Sequence, residues 1–363
     1  SVRLGITILE EDTLIFFDEI QTCERALTSL KYFEESNTNY NVIAAGSLLG
    51  VAINREKHSF PVGKVKIVTL YPLDFEEFLW AMDKEELANM IRQSFKENKE
   101  LSLHNMANEY YRLYLAIGGM PRAILEYKEK QDMDFVTSIL KDINNSYIAD
   151  MAKYASATET TKIIAVYNII SAQLAKENKK FQYKLIKSGA RAYEYENAIN
   201  WLNASGIITQ CIKIKEGKIP LSAFIEPDSF KIYMNDVGLL CSKFGIPTNM
   251  IIVDNDNLDN FKGALAENYV CSSLVKSGLT PYYWESKGIA ELDFIVQDKE
   301  GNIIPIEVKS GEHTRSKSLN VFRNSYKIPY SIRISTKNFG YENNIKSIPL
   351  YSCLLYTSDA ADE

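Results

Sequence analysis

The chain has 363 residues, of which 46% are hydrophobic and 24% are charged, and its formal net charge is -6. These proportions are typical of globular protein and exclude a disordered, collagen-like or mucin-like chain. The acidic balance excludes a general polycation, so binding of nucleic acid would need a local basic surface. No apolar run reaches the roughly 18 residues of a membrane span. The five scattered cysteines form no C-x-x-C pair, which favours a reducing cytoplasm over a disulfide framework or a cysteine-based zinc site.

The first predicted elements form a strand–helix–strand unit. Residues 14–17 (LIFF) are a short apolar run that predicts a strand buried on both faces, as in a parallel sheet. Residues 22–35 predict a helix, and residues 40–45 (YNVIAA) predict a second buried strand that ends at Gly46 and Ser47. This order predicts one βαβ unit.

Asp18 and Glu19 follow the first predicted strand directly, which is the Walker B pattern. A buried parallel strand would deliver both carboxylates to its carboxyl end, where α/β sheets bind ligands. Asp18 could hold Mg²⁺, Glu19 could polarise the water that attacks a γ-phosphate, and Ser47 could contact that phosphate. The structural alternative is that Asp18 only caps the following helix.

The middle of the chain predicts helices. Residues 75–98 predict one acidic helix, and Gly118-Gly119-Met120-Pro121 predicts a turn after the aromatic stretch 110–117. Further helices are predicted over 135–153 and 160–175. A short helix at 183–187, a turn at Gly189, a helix over 193–203 and a strand over 207–214 follow in the order of a winged helix.

The last third predicts alternating helix and strand. A helix over 264–276 precedes strands over 280–284, 291–297 and 303–308, and residues 299–302 (KEGN) predict a hairpin turn between the last two strands. A helix over 318–326 and a strand over 330–335 complete the pattern. The predicted fold class is α/β.

Four motifs in chain order carry a resemblance to a known family. They are LIFFDEIQ, AAGSLLG, SFPVGKVKIVTLYPLDFEEFL and YLAIGGMPRAI. Together they resemble prokaryotic AAA-superfamily P-loop ATPases that carry a characteristic C-terminal domain of unknown function. The resemblance covers nearly the whole chain and implies ATP hydrolysis with Mg²⁺ in the parent protein.

The Walker A string G-x-x-x-x-G-K-[ST], which cradles the phosphates, occurs nowhere in the sequence. In the family it precedes the Walker B strand, and this chain starts at Ser1 rather than Met. We therefore expect an N-terminally truncated sequence with a Walker A motif upstream. Residues 353–363 depart from the family and resemble translated sequencing-adapter read-through.

The predicted domains are a partial P-loop ATPase core over residues 1–100, a helical lid with a winged-helix-like region over 101–215, a nuclease-like domain over 216–352 and an artefactual tail over 353–363. The C-terminal domain is expected to have a restriction-endonuclease-like α/β fold.

A second candidate site comprises Glu267, Asp293, Glu307 and Lys309. These residues have the order and spacing of a PD-(D/E)XK nuclease site, and the C-terminal domain of the family resembles such a nuclease. Glu307 and Lys309 share one face of a strand, and the hairpin brings Asp293 beside Glu307. Asp293 and Glu307 suit Mg²⁺ or Mn²⁺, and Glu267 would complete the metal shell through water. Lys309 would orient or deprotonate the attacking water, with its pKa depressed by the neighbouring cation. The structural alternative is that these carboxylates simply pair with Lys309.

Two segments, 176–191 and 309–333, each contain six basic residues and one acidic residue, and either could follow a DNA backbone. Three functions stay open at this point. The first is an ATP-driven switch that acts through its C-terminal domain. The second is a metal-dependent DNA nuclease regulated by the ATPase part. The third is a non-catalytic interaction or defence module with a protein partner or a homo-oligomer.

Overall fold

The computed structural model describes residues 9, 12–36, 40–47, 63–253, 258–286, 288, 290–311, 317–353 and 355. The chain divides into two compact units, one of residues 1–70 with 200–207 and the other of residues 71–199 with 208–363. Within the described ranges, no helix is both long enough and apolar enough to cross a bilayer.

The first unit contains the predicted strand–helix–strand arrangement. Strands β1 (Leu14–Phe17) and β2 (Asn41–Ala44) are parallel and pair Phe16 with Ile43. A single 3₁₀ turn (Ile20–Thr22) and helix α1 (Glu24–Glu35) connect them. The rings of Phe17 and Phe33 lie 5.9 Å apart, so α1 packs on the face of the strands that carries Phe17.

The prediction that the first strand is buried on both faces and that the second is a buried strand is wrong for the described residues. Leu14, Phe16 and Ile43 are 55%, 56% and 51% exposed. They alternate with half-buried neighbours, as the period of two in a strand requires. Only two strands form this sheet among the described residues, and α1 covers one face of it.

The second unit begins with helices. Their bounds are α2 (Phe75–Ala81), α3 (Glu85–Glu97), α4 (His104–Ile117), α5 (Pro121–Lys130), α6 (Met133–Tyr154) and α7 (Ala157–Leu174).

The predicted single helix over 75–98 is two helices, because Asp83 takes a left-handed conformation with φ of 57° that ends the first. Asp74 starts α2 with a capping box, in which Asp74 Oδ1 accepts from Glu77 N and Glu77 Oε2 accepts from Asp74 N.

An eight-stranded mixed sheet forms the rest of the second unit, in the order β4-β3-β5-β6-β7-β8-β10-β9. The strands are β3 (Ile208–Ile214), β4 (Ile225–Met234), β5 (Tyr282–Ser286), β6 (Ala290–Gln297), β7 (Ile303–Val308), β8 (Ser331–Ser335), β9 (Gly340–Glu342) and β10 (Ile345–Pro349). The remaining helices are α8 (Ala192–Ala204), whose residues 200–204 are assigned to the first unit, α9 (Val237–Phe244), α10 (Thr248–Ile252), α11 (Asp259–Lys276) and α12 (Lys317–Tyr326). Helix α11 contacts β4 and β7, and α12 contacts β6 and β7.

The predicted α/β class is confirmed. The hairpin between β6 and β7 is present as predicted, with Asp298 N donating to Asn302 O at 3.1 Å and Gly301 at a φ of 88°. The predicted winged helix is not confirmed, because its first helix is one 3₁₀ turn (Tyr183–Leu185) and its strand, β3, pairs with β4 and β5 inside the large sheet. The predicted domain boundary at residue 215 therefore falls within a single sheet.

Candidate functional site

The first candidate site lies at the carboxyl ends of β1 and β2. Asp18 and Glu19 follow β1 and are exposed, and Ser47 comes three residues after β2. Asp18 Oδ1 accepts a hydrogen bond from Glu19 N at 3.0 Å, and Glu19 takes a left-handed conformation with φ of 49°. Such a backbone is uncommon for glutamate and often marks functional positions.

Gln21 connects the two strand ends, and sequence reasoning missed it. Its Nε2 donates to Glu19 Oε2 at 2.8 Å and to Ser47 Oγ at 3.3 Å. One side-chain amide therefore holds the second Walker B carboxylate beside the hydroxyl of the neighbouring strand. The only signal for it was a polar residue two positions after Glu19. The structure thus places Asp18, Glu19 and Ser47 at one edge of one sheet.

The oxygen atoms at this edge are of the chemical kind that binds Mg²⁺, although the described residues gather no three histidine, cysteine, aspartate or glutamate side chains here that could hold a metal ion. Carboxylate and hydroxyl oxygens are the ligands that Mg²⁺ uses together with water and substrate phosphates. Asp18 Oδ1 is engaged by a backbone amide, which orients the carboxylate without neutralising its charge. Asp18 would hold the ion, while Glu19 and Ser47 would face the phosphate.

The motifs LYPLDF and GGMP, which carry much of the family resemblance, contact each other. Leu73 N donates to Gly119 O at 2.8 Å, and the Tyr114 hydroxyl donates to Leu73 O at 2.7 Å. The Lys276 ammonium donates to Pro72 O. These contacts fasten the start of the second unit to its helices, so the motifs have a structural role here.

Asp236 is the buried centre of this contact, and sequence reasoning missed it as well. Its Oδ2 accepts from Gly119 N at 2.7 Å, and its Oδ1 accepts from Leu239 N at 2.8 Å as the N-cap of α9. Burial raises the pKa of Asp236 above its ordinary value, although hydrogen bonds from Gly119 and Leu239 oppose the shift. An aspartate directly before the apolar run VGLL is a helix-start signal that could have identified it.

The second candidate site lies on the large sheet. Asp293 is on β6, Glu307 is on the adjacent antiparallel strand β7, and Lys309 directly follows β7. Asp293 Oδ2 accepts from Val308 N at 2.8 Å, and Lys309 Nζ lies 3.1 Å from Glu307 Oε1. The predicted pairing of the two strands is therefore present.

Glu267 approaches from α11 and is 7% exposed. It forms an ion pair with Lys179 and accepts from the Tyr233 hydroxyl at 3.1 Å through Oε2. Burial opposes ionisation of Glu267, but the charges of Lys179 and Lys231 outweigh it and lower its pKa. In turn, burial and the charge of Glu267 raise the pKa of Asp293.

Lys231, on β4, is the residue of this site that sequence reasoning missed. It is 2% exposed, and its Nζ lies 2.6 Å from Glu291 Oε1. Burial alone would lower the pKa of Lys231, but Glu267, Asp293 and Glu291 raise it above its ordinary value. The signal was a lysine inside the otherwise apolar run FKIYM.

The structure bears on two predicted roles at this site. Burial opposes the charge of Lys309, but Asp293 and Glu307 outweigh it and raise the pKa of this lysine above its ordinary value. The depression expected beside a metal cation stays a prediction. Lys179, predicted as part of a basic DNA-facing segment, is instead turned inward to Glu267, with a side chain only 13% exposed. Lys176, Lys184, Lys187 and Arg191 are exposed, and contact with DNA stays a prediction.

Metal binding at the second site has no support in the described part of the chain. No three histidine, cysteine, aspartate or glutamate side chains come together there in a way that could hold a metal ion. Each of Glu267, Glu291 and Glu307 is paired with a lysine. Lysines therefore supply positive charge beside these three glutamates, whereas the predicted ligand Asp293 is held by Val308 N and Glu307 Oε2 is buried without a hydrogen-bond partner.

Three family models match the chain. Residues 3–79 match an AAA domain, residues 108–249 match a domain of unknown function (DUF8612), and residues 262–353 match a second domain of unknown function (DUF4143). No curated protein and no solved structure matches. The AAA match contains Asp18, Glu19 and Ser47 and supports the predicted relationship to AAA-type ATPases. None of these three descriptions names a nuclease.

Proposed function

We propose that residues 12–36 and 40–47 form the magnesium and γ-phosphate side of an ATP site in an AAA-type ATPase. The observation that carries this proposal is the hydrogen bonding of Gln21 to both Glu19 and Ser47, which brings the ends of two parallel strands together. Bound Mg-ATP would supply the phosphate whose transfer to water releases energy. The AAA match over residues 3–79 supports the same function.

Each side chain has a separate part in this proposal. Asp18 orients Mg²⁺, since its carboxylate is exposed and already held by Glu19 N. Glu19 accepts a hydrogen bond from the attacking water, and Ser47 contacts the phosphate. Gln21 is a positioning residue, because it acts on the reaction only through Glu19 and Ser47.

The chain should bind Mg-ATP weakly, because its motifs supply the carboxylates but not the phosphate-binding loop. Titration with a fluorescent ATP analogue, with and without Mg²⁺, measures this. We expect Asp18→Asn to remove most of the increase in affinity that Mg²⁺ causes, roughly tenfold or about 1.4 kcal/mol. Asp12→Asn, an exposed aspartate before β1, is the control that should leave this increase intact. An unchanged magnesium dependence in Asp18→Asn would contradict the proposed site.

Gln21→Ala should loosen Glu19 from Ser47 while leaving the magnesium ligand in place. We therefore expect magnesium-dependent binding to persist and any ATP hydrolysis by the chain to fall by roughly tenfold, the effect of losing orientation at one group. Phosphate release measured beside binding separates the two quantities. Gln93→Ala, which removes a surface amide that bonds Glu97, is the matched control. Equal losses in both variants would exclude a positioning role for Gln21.

A further inference from the structure

A cluster of three lysines and four carboxylates occupies the place of the predicted nuclease centre. Its members are Lys179, Lys231, Lys309, Glu267, Glu291, Asp293 and Glu307, and we call it the lysine–carboxylate cluster. Three ion pairs run through it, namely Lys179–Glu267, Lys231–Glu291 and Lys309–Glu307. Asp293 is held instead by the amide of Val308 at 2.8 Å. Each carboxylate of the cluster therefore has a donor on at least one oxygen, and Glu307 Oε2 is the oxygen that is buried without a hydrogen-bond partner among the described residues.

Lys231 is the member with the most restricted surroundings. Its side chain is 2% exposed, whereas those of Lys179 and Lys309 are 13% and 39% exposed. Its Nζ lies 5.0 Å from the centre of the Tyr283 ring on β5 and 2.6 Å from Glu291 Oε1 on β6. A buried ammonium persists only where carboxylates compensate its charge, and Glu291 supplies such a carboxylate beside Lys231.

A divalent cation would have to compete with these lysines. Mg²⁺ and Mn²⁺ need several oxygen ligands free to turn toward one point. Glu267 uses Oε1 for Lys179 and Oε2 for the Tyr233 hydroxyl. A dication beside a buried ammonium would also be repelled, because charges interact strongly where water is excluded.

We propose that Lys231 takes the place of the divalent cation in this cluster, and that the site is held together by ion pairs and binds neither Mg²⁺ nor Mn²⁺. The nuclease-like arrangement of Asp293 and Glu307 is thereby retained as structure. Lys231 is the residue that excludes the metal, so removing its charge opens the site to a metal ion.

Thermal unfolding of the full chain with and without MnCl₂ tests this directly. In the wild-type chain, Mn²⁺ should cause no rise in melting temperature that depends on Asp293. In Lys231→Met, which keeps the length and removes the charge, Mn²⁺ should raise the melting temperature by roughly 2 °C or more, because a ligand that binds only the native state stabilises it. The double variant Lys231→Met, Asp293→Asn should lose this rise.

Lys213→Met is the matched control. Lys213 lies on β3 of the same sheet, with a side chain 19% exposed, and bridges Glu226 at 3.4 Å and Glu285 at 3.5 Å outside the cluster. Removing it should not create an Asp293-dependent response to Mn²⁺. The Asp293→Asn arm also separates this site from any binding of Mn²⁺ at Asp18.

Two results would overturn the proposal. One is binding of Mn²⁺ by the wild-type chain, seen as loss of the free Mn²⁺ signal in electron paramagnetic resonance and abolished by Asp293→Asn. The other is a folded Lys231→Met protein that shows no Asp293-dependent binding. If Lys231→Met does not fold, Lys231→Gln replaces it, and the resonance measurement on the wild-type chain still decides whether the native site takes a metal.

Discussion

Gly119→Ala is expected to lower the free energy of unfolding of the second unit by at least about 3 kcal/mol, or to prevent its folding. A Cβ atom at position 119 would lie 2.0 Å from Leu73 O and 2.9 Å from Leu73 N. Backbone atoms cannot rotate away as a side chain can, and moving Leu73 would break its hydrogen bond to Gly119 O. Urea unfolding followed by circular dichroism measures the loss.

Gly340→Ala is the matched control for that substitution. Gly340 is in β9 and, like Gly119, does not have a left-handed backbone, but an added Cβ would meet nothing within 4 Å. Its unfolding free energy should stay within about 0.5 kcal/mol of the wild-type value, as for most surface changes. A Gly119→Ala protein as stable as Gly340→Ala would show that the contact between the two motifs is looser than the structure has it.

Asp236→Asn should be the second strongly destabilising substitution. The asparagine keeps the shape of the side chain, but one of its two terminal atoms becomes an N–H donor facing Gly119 N or Leu239 N. One buried amide is then left without an acceptor, and the cap of α9 is weakened. We expect a loss of about 3 kcal/mol in the free energy of unfolding, the sum of a buried unsatisfied donor and a weakened cap.

The control is Asp132→Asn, which changes the N-cap of α6. Asp132 Oδ1 accepts from Asp134 N at 2.9 Å and from Phe135 N at 3.1 Å, but the residue is exposed. Water can satisfy those amides, so this substitution should cost about 1 kcal/mol or less. Equal losses for Asp236→Asn and Asp132→Asn would mean that Asp236 is only a helix cap and does not hold the Gly119 turn.

The pH dependence of stability gives a second measurement on Asp236. Burial raises the pKa of Asp236 in the folded protein. At a pH just above the pKa that Asp236 has in the unfolded chain, the folded protein therefore binds more protons than the unfolded chain does. Its contribution to stability therefore falls as pH rises from the unfolded pKa to the folded pKa. Subtracting the Asp236→Asn curve from the wild-type curve should reveal this downward slope, and an upward slope would contradict the raised pKa.

Local sequence patterns determined the parts of this protein that depend on neighbours along the chain. An apolar run followed by two acids placed Asp18 and Glu19 at the end of β1, because strand length and polarity set where a strand stops. A turn sequence of four residues placed the hairpin that aligns β6 with β7. The acidic helix over 75–98 was one local failure, since nothing in the pattern marked the left-handed Asp83 that divides it.

Tertiary structure alone decided which charges meet. Lys179 lies in the loop after α7, Lys231 on β4 and Glu267 on α11, and only the folded structure brings these three distant segments to one cluster. Tertiary structure likewise brings Asp236 to Gly119 and Gln21 to Ser47. Periodicity predicts which face of an element is buried, but not which element covers it. For this reason the sequence indicated a metal site from its carboxylates, and only the fold showed that Lys179 and Lys231 pair with Glu267 and Glu291.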